Sequence, residues 1–71
     1  MDIEELVNIV KLAINEEDIN PNSSIEDVDN WDSLGHMSIV LALKENLGVE
    51  LSPEEISQAI SIQSIKEILE N

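Results

Sequence analysis

The chain contains no cysteine, no arginine, no phenylalanine and no tyrosine, and Trp31 is its one aromatic residue. Without cysteine it has no disulfide and no thiol of its own for acyl chemistry, and it lacks the Cys/His sets that hold structural zinc. Stability must therefore come from aliphatic packing, for which the sequence supplies eleven isoleucines, eight leucines and five valines. We treat residues 1–71 as a single domain, near the smallest size at which one core suffices.

Positive charge is also scarce. Three lysines stand against sixteen acidic residues, which gives a formal net charge of −13. Because phosphate-backbone binding depends on Lys and Arg, this balance argues against nucleic acid as a partner. It also argues against an anionic membrane surface. We expect partner proteins to present basic docking patches instead.

Long apolar runs are missing as well. The first residues, Met1 to Glu5, are acidic where a signal peptide would need a basic segment. No apolar run approaches the length of a membrane span. We therefore expect a cytoplasmic protein that acts as a monomer and does not bind membranes.

Helical spacing of apolar residues predicts three main helices and one short one. The first runs over about residues 3–15, with Asp2 as its N-cap. The second runs from about Ser33 to Leu47 and ends at Gly48, a residue suited to the left-handed position. Ser52 begins the short third helix and Ser61 caps the fourth. The predicted fold is all-α, a small four-helix bundle.

The segment of residues 16–32, before the second helix, lacks helical spacing. Its centre, Asn20-Pro21-Asn22-Ser23-Ser24, has the residue types of turns. We expect an ordered loop that Ile19, Ile25 and Val28 attach to the core.

The second helix is apolar at many positions, so its inward face has to be chosen. We place one set of side chains inward and expect Ile39 and Leu43 to be partly exposed. The inward set comprises Leu34, Met37, Val40, Leu41 and Leu47.

The run from Trp31 to Met37 places a serine hydroxyl at the start of this helix. Asp32 is the predicted N-cap, and Ser33 follows it at the first helical position. A hydroxyl there is exposed and lies near free backbone amides, and the helix dipole favours an incoming phosphate. The position suits a serine that receives a phosphoryl-linked group, although it does not make the serine a nucleophile.

This arrangement resembles the acyl carrier proteins over nearly the whole chain. The shared features are an acidic chain of this size, a long loop, Asp32-Ser33-Leu34 at the start of the second helix, and the stretch of residues 41–51 at its exit. The resemblance implies an acyl-carrier-protein-like bundle in which Ser33 accepts 4′-phosphopantetheine from coenzyme A. A separate Mg²⁺-dependent phosphopantetheinyl transferase would catalyse this step, with Asp32 and Leu34 in its recognition motif.

The resemblance also implies what such a chain does. The thiol of the arm would hold acyl or aminoacyl groups as thioesters and pass them between loading and transferring enzymes. The chain would be a carrier and a substrate, with no catalytic residue of its own. The second helix and the loop before it would dock partners, with Met37 and Val40 as candidate apolar contacts.

Several positions depart from the pattern of fatty-acid carriers. Those proteins often have glycine before the aspartate, where this chain has Trp31. They commonly have acidic residues two and five positions after the serine, where this chain has Gly35 and Ser38. We therefore expect a carrier dedicated to one pathway, such as a polysaccharide, polyketide or aminoacyl-transfer system. A general carrier of fatty-acid synthesis is the alternative.

Two neighbours of Ser33 have simpler interpretations. We expect Trp31 to be an anchor in the core or loop whose indole N–H finds a partner. We expect His36 to be an exposed surface histidine. Asp32, Ser33 and His36 are the residue types of a catalytic triad, but one exposed helical turn offers neither the geometry nor a water-excluding cleft.

A remote alternative is a calcium-binding module. The spacing Asp18-x-Asn20-x-Asn22 loosely resembles an EF-hand loop. Ser23 stands where that loop needs glycine, and Asp29 stands where it needs the bidentate glutamate. We therefore expect no specific metal site.

Overall fold

The structure, a computed structural model, describes residues 2–70. Its helices are α1 (Ile3–Ile14), α2 (Ser33–Leu47), α3 (Pro53–Gln58) and α4 (Ile62–Glu70). The predicted all-α bundle of three main helices and one short helix is confirmed. Within this part of the chain, none of the helices has the length and apolar character that a membrane crossing requires.

The helix ends follow local capping chemistry. Asp2 caps α1 through its carboxylate, and α1 ends at Asn15, which adopts the left-handed conformation with φ 52°. Asp32 caps α2, which ends at Gly48 with φ 70°. Ser52 forms a reciprocal capping box at the start of α3. The predicted ends of α2 are confirmed at both residues.

The core is aliphatic, with one indole ring, and lies between α1, α2, α4 and the long loop. The largest fully buried side chains are Trp31, Leu6, Ile39, Leu43, Ile62, Ile65 and Val10. Burial of these groups is the main favourable contribution to folding in a chain without disulfides.

The face of α2 that packs on the core is not the one predicted. Ile39 and Leu43, expected to be partly exposed, are 1% and 0% exposed. Leu34, Met37 and Leu41, expected inside, are 81%, 52% and 56% exposed. The prediction was wrong because α2 carries two apolar stripes, and helical spacing alone does not show which one the neighbouring helix covers.

The loop between α1 and α2 is fixed to the start of α4 by backbone hydrogen bonds. The Ile25 amide donates to the Ile60 carbonyl over 2.8 Å, and the Ile62 amide donates to the Ser23 carbonyl over 3.0 Å. Ile19 and Val28 are buried, and Ile25 packs against the core. The prediction of an ordered loop held by these three apolar residues is confirmed.

Candidate functional site

Ser33 is the first residue of α2 and lies on the surface of the protein. Its neighbours Asp32 and Leu34 are also exposed. The last residue of the loop, Asp32, has an extended backbone with φ −93° and ψ −166°, and α2 begins at the next residue. The three residues of the predicted motif therefore lie together on one accessible turn.

Two backbone amides in the first turn of α2 donate hydrogen bonds to Asp32, and two others have no acceptor within the helix. Oδ1 of Asp32 accepts from the Gly35 amide over 2.8 Å. The Asp32 carbonyl accepts from the His36 amide over 2.7 Å. The amides of Ser33 and Leu34 belong to the group that an α-helix leaves without an internal acceptor. They give the turn a local positive potential beside the Ser33 hydroxyl, which favours a phosphate ester there.

On one side, the turn is packed tightly against the end of α1. A β-carbon added at Gly35 would overlap the Asn30 carbonyl oxygen and lie 3.2 Å from Cγ2 of Ile14. The Asn30 side-chain amide donates to the Ile14 carbonyl over 3.3 Å. Only glycine allows this approach without a shift of the backbone. The position of Ser33 is thereby tied to α1.

On the other side, the turn is linked to α3 through two ring systems. The indole N–H of Trp31 lies 3.2 Å from Nδ1 of His36. Nε2 of the same imidazole lies 2.7 Å from the Ile56 carbonyl oxygen in α3. Trp31 is 2% exposed, so its prediction as an anchor with a bonded indole is confirmed. The prediction for His36 was wrong, because it is half-buried and its ring bridges two elements.

The same bonds argue against a catalytic triad on this turn. Both ring nitrogens of His36 are engaged by Trp31 and Ile56. The Asp32 carboxylate accepts from the Gly35 amide. A triad requires the histidine to bond the serine and the acid to bond the histidine. Neither relation is formed here.

The exposed apolar side of α2 continues into a shallow cleft. The cleft has a volume of about 270 Å³ and is lined by Met37, Val40, Leu41, Lys44, Val49, Glu50 and Leu51. At its edge, Nζ of Lys44 lies 2.8 Å from Oε1 of Glu50. The hydrogen bond from Lys44 and then its charge lower the pKa of the Glu50 carboxyl, and the same pairing raises the pKa of Lys44.

In the loop that loosely resembles an EF-hand, polar side chains form hydrogen bonds to backbone amides of the same loop. The Asn20 side-chain oxygen accepts from the Asn22 amide over 2.8 Å. The Ser23 hydroxyl oxygen accepts from the Asn20 amide over 2.9 Å. Between residues 2 and 70, no group of three His, Cys, Asp or Glu side chains is arranged to hold a metal ion. The geometry gives the calcium alternative no support.

Sequence reasoning missed the contacts of three residues around Ser33, namely Asn30 and Gly35, which join the turn to the end of α1, and His36, whose ring bridges Trp31 and Ile56. One of them had a usable signal. A glycine in the first turn of a helix, where no turn requires it, points to close packing. Asn30 had none, because its importance depends on the end of α1, which is distant in sequence.

Two comparisons of the sequence with known proteins agree on one family. A family model for the phosphopantetheine attachment site matches residues 4–69. The acyl carrier protein of Thermosynechococcus vestitus is 30% identical over 61 residues, which span 86% of this chain and 75% of that protein. A solution NMR structure of holo acyl carrier protein from Geobacter metallireducens matches with a TM-score of 0.84 and 20% identity, over 96% of this chain and 80% of that chain. The last match is a likeness of fold.

Proposed function

This chain belongs to the acyl carrier proteins, the family with a phosphopantetheine attachment site, and we propose that Ser33 is the residue that bears the 4′-phosphopantetheine arm. The family resemblance and the fold expected from the sequence are confirmed. Members of this family are carriers and not catalysts. They are served by a phosphopantetheinyl transferase and by acyl-handling enzymes.

The proposal for Ser33 is supported chiefly by its place on the surface at the start of α2. In loading, the Ser33 hydroxyl oxygen attacks the phosphorus of coenzyme A that bears pantetheine. A phosphodiester forms, adenosine bisphosphate leaves with the bonding electrons, and the hydroxyl proton passes to a base on the transferase. The free amides of the first turn favour the negative charge that remains on the diester. The arm, when bound, supplies the thiol that the polypeptide lacks.

Intact mass spectrometry tests this assignment. We expect the wild type, incubated with coenzyme A, Mg²⁺ and a broad-specificity phosphopantetheinyl transferase, to gain the mass of one arm. Ser33→Ala should gain nothing. Ser38→Ala is the matched control, because Ser38 is an exposed serine on the same helix and bonds only to the Leu34 carbonyl within its own helix. Loading of Ser33→Ala, or failure of Ser38→Ala alone, would contradict the assignment.

We further propose that partner enzymes dock on the exposed apolar side of α2. Met37 is 52% exposed and Val40 is half-buried, and both line the cleft beside α2. The first ten residues of α2 carry no carboxylate, whereas the loop before it exposes Asp27, Asp29 and Asp32. A fitting partner surface has an apolar centre for α2 and a basic rim for this loop.

If partners dock at Met37, its substitution should change the KM of the transferase for the carrier. We expect Met37→Ser to raise the KM of the transferase for the carrier, with a smaller effect on kcat, because the substitution removes binding surface and leaves Ser33 in place. Leu12→Ser is the control, since Leu12 is 84% exposed on α1. Equal effects of the two substitutions would contradict docking at Met37.

For the pathway, we propose a dedicated biosynthetic system in preference to general fatty-acid synthesis. A side chain at position 35, where fatty-acid carriers commonly have an acid, would overlap the Asn30 carbonyl. Glycine at position 35, in place of the acidic residue of fatty-acid carriers, is therefore required by the packing of α2 against Asn30 and the end of α1. Ser38, the other departure, is exposed and free to vary.

A malonyl-transfer assay separates the two pathways. We expect the malonyl transferase of fatty-acid synthesis to use the loaded wild type poorly, because the first ten residues of α2 after Asp32 carry no carboxylate. Ser38→Glu should increase this activity, while Ser38→Gln, of similar size but uncharged, should not. Efficient use of the wild type would favour the general carrier.

A further inference from the structure

We infer that His36 is a positioning residue for loading, because its imidazole holds the turn that presents Ser33 in a fixed relation to α3. The inference rests on the proposed role of Ser33. It concerns a residue that lies one helical turn beyond the serine and touches neither the hydroxyl nor the motif side chains through any hydrogen bond of its ring.

The two ring contacts specify one neutral form of the histidine. An indole N–H is only a donor, so Nδ1 of His36 must accept from Trp31. The hydrogen of the neutral ring then lies on Nε2, which donates to the Ile56 carbonyl over 2.7 Å. The imidazole therefore acts as a rigid spacer with one acceptor and one donor. A side chain without both functions cannot replace it.

The helix that accepts the bond from His36, α3, buries little of its own surface. None of the residues of α3 from Pro53 to Gln58 is buried. Ile56, which accepts the bond from His36, is half-buried, and Ala59 at the C-cap is buried. A helix of six residues has little stability of its own, so tertiary contacts have to fix its position. The bond from His36 to Ile56 is such a contact, made directly between α3 and α2.

The other end of the bridge lies beside the attachment site. Trp31 is 2% exposed and directly precedes Asp32 and Ser33. The His36 amide also donates to the Asp32 carbonyl over 2.7 Å. Loss of the imidazole releases the indole from its partner next to the motif. The Ser33 oxygen then loses part of the orientation that an in-line attack on phosphorus requires.

Steady-state loading kinetics test the inference with four single variants and the double variant His36→Leu/Trp31→Phe. His36→Leu removes both ring contacts, and His36→Gln keeps one acceptor and one donor. Trp31→Phe removes the indole N–H together with the pyrrole ring of a buried side chain, so its stability is measured alongside its kinetics. Asn46→Ala is the control, because Asn46 lies at the far end of α2 and its side chain bonds to the Ala42 carbonyl in the same helix. Initial rates are measured over a range of carrier concentrations with coenzyme A, Mg²⁺ and a broad-specificity transferase. Thermal unfolding by circular dichroism verifies folding.

The expected signature is a loss in kcat. His36→Leu should lower kcat about tenfold with KM within about twofold of the wild type, since the docking surface is retained while the hydroxyl is misplaced. His36→Gln should recover most of the loss. Trp31→Phe should lower kcat less, and adding it to His36→Leu should have no further effect, because the two residues act through one contact.

Several results would overturn the inference. These are a folded His36→Leu that loads with the wild-type kcat, an effect confined to KM, or a His36→Gln as slow as His36→Leu. If His36→Leu does not fold, Trp31→Phe decides, and a wild-type kcat in that variant refutes the inference. These outcomes differ from failure of the proposed function, in which the wild type itself would take no arm.

Discussion

Gly35 lies so close to Asn30 that a β-carbon at position 35 would overlap the Asn30 carbonyl oxygen. The same asparagine donates from its side chain to the Ile14 carbonyl at the end of α1. One residue thus joins the end of α1 to the first turn of α2 by a hydrogen bond on one side and by close packing on the other. Ser33 lies on that first turn, two residues before Gly35.

Gly35→Ala is therefore expected to destabilise the protein and slow its loading. Overpacking of this kind costs about 1–3 kcal/mol, because the backbone of the loop or of α2 has to move. The shift occurs two residues from Ser33, so the rate of arm transfer should fall together with stability. Urea unfolding and loading kinetics measure the two effects.

Gly48→Ala provides the comparison. Gly48 has φ 70°, but a β-carbon there has no atom within 4 Å. The left-handed backbone strain of alanine there costs about 1–2 kcal/mol. Gly48 lies at the other end of α2, so loading of the folded protein should be unchanged. If the two variants lose loading activity equally, the contact between Gly35 and Asn30 does not position the serine.

A second prediction concerns which side of α2 is buried. Leu43 is fully buried and Leu41 is 56% exposed. Leu43→Ala should cost about 2–5 kcal/mol by leaving a cavity. Leu41→Ala should change stability by no more than about 0.5 kcal/mol. Chemical denaturation of the two variants checks the orientation of the helix, and a reversed order would show that α2 is rotated.

The helix caps depend on neighbours in sequence, whereas the buried side of α2 depends on distant residues. Caps at Asp2, Asp32 and Ser52 are local chemistry, and each was predicted correctly. The buried side of α2 is a tertiary property. Leu34, Met37 and Leu41 have the spacing of a core stripe as good as that of Ile39 and Leu43. The second stripe is buried because it shares a side of α2 with Gly35, where Ile14 of α1 and Asn30 approach closely.

The site shows the same division between local and distant information. The motif around Ser33 and its place at the helix start could be predicted, because both depend on neighbours in sequence. The bridge from Trp31 through His36 could not, since its acceptor is the Ile56 carbonyl, twenty residues away. A histidine on a helix gives no sign in the sequence of whether it faces solvent or another helix.

A third prediction follows from the uncompensated charge. The ion pairs formed within residues 2–70 are Lys44 with Glu50 and Lys66 with Glu70, while the chain has a net charge of −13. Self-repulsion should therefore weaken the fold at low salt. Raising ionic strength from about 0.01 M to about 1 M shortens the Debye length from about 30 Å to about 3 Å, and the melting temperature should rise. A flat or falling melting temperature would contradict the prediction.

A fourth prediction concerns the pair of Lys44 and Glu50. The hydrogen bond from Lys44 lowers the pKa of the Glu50 carboxyl, so the pair stabilises the fold at neutral pH. This contribution is lost as the pH falls through the lowered pKa of Glu50. It is also lost at alkaline pH, as the pH rises through the raised pKa of Lys44.

Glu50→Gln compared with Glu45→Gln isolates that contribution. Both substitutions remove one negative charge, and Glu45 is an exposed carboxylate outside the two ion pairs. Urea unfolding at neutral pH should find Glu50→Gln the less stable of the two. Their difference should vanish in acid, below the pKa of Glu50. A difference that persists unchanged into acid would mean that the pairing is not its cause.

Tandem mass spectrometry of the loaded protein after proteolysis locates the arm on the chain. If Ser33 is the attachment residue, the phosphopantetheine mass and the fragment ions of its cleavage map to Ser33 alone. Modification at any other serine, or a wild-type chain that stays unmodified with an active transferase and coenzyme A, would contradict it.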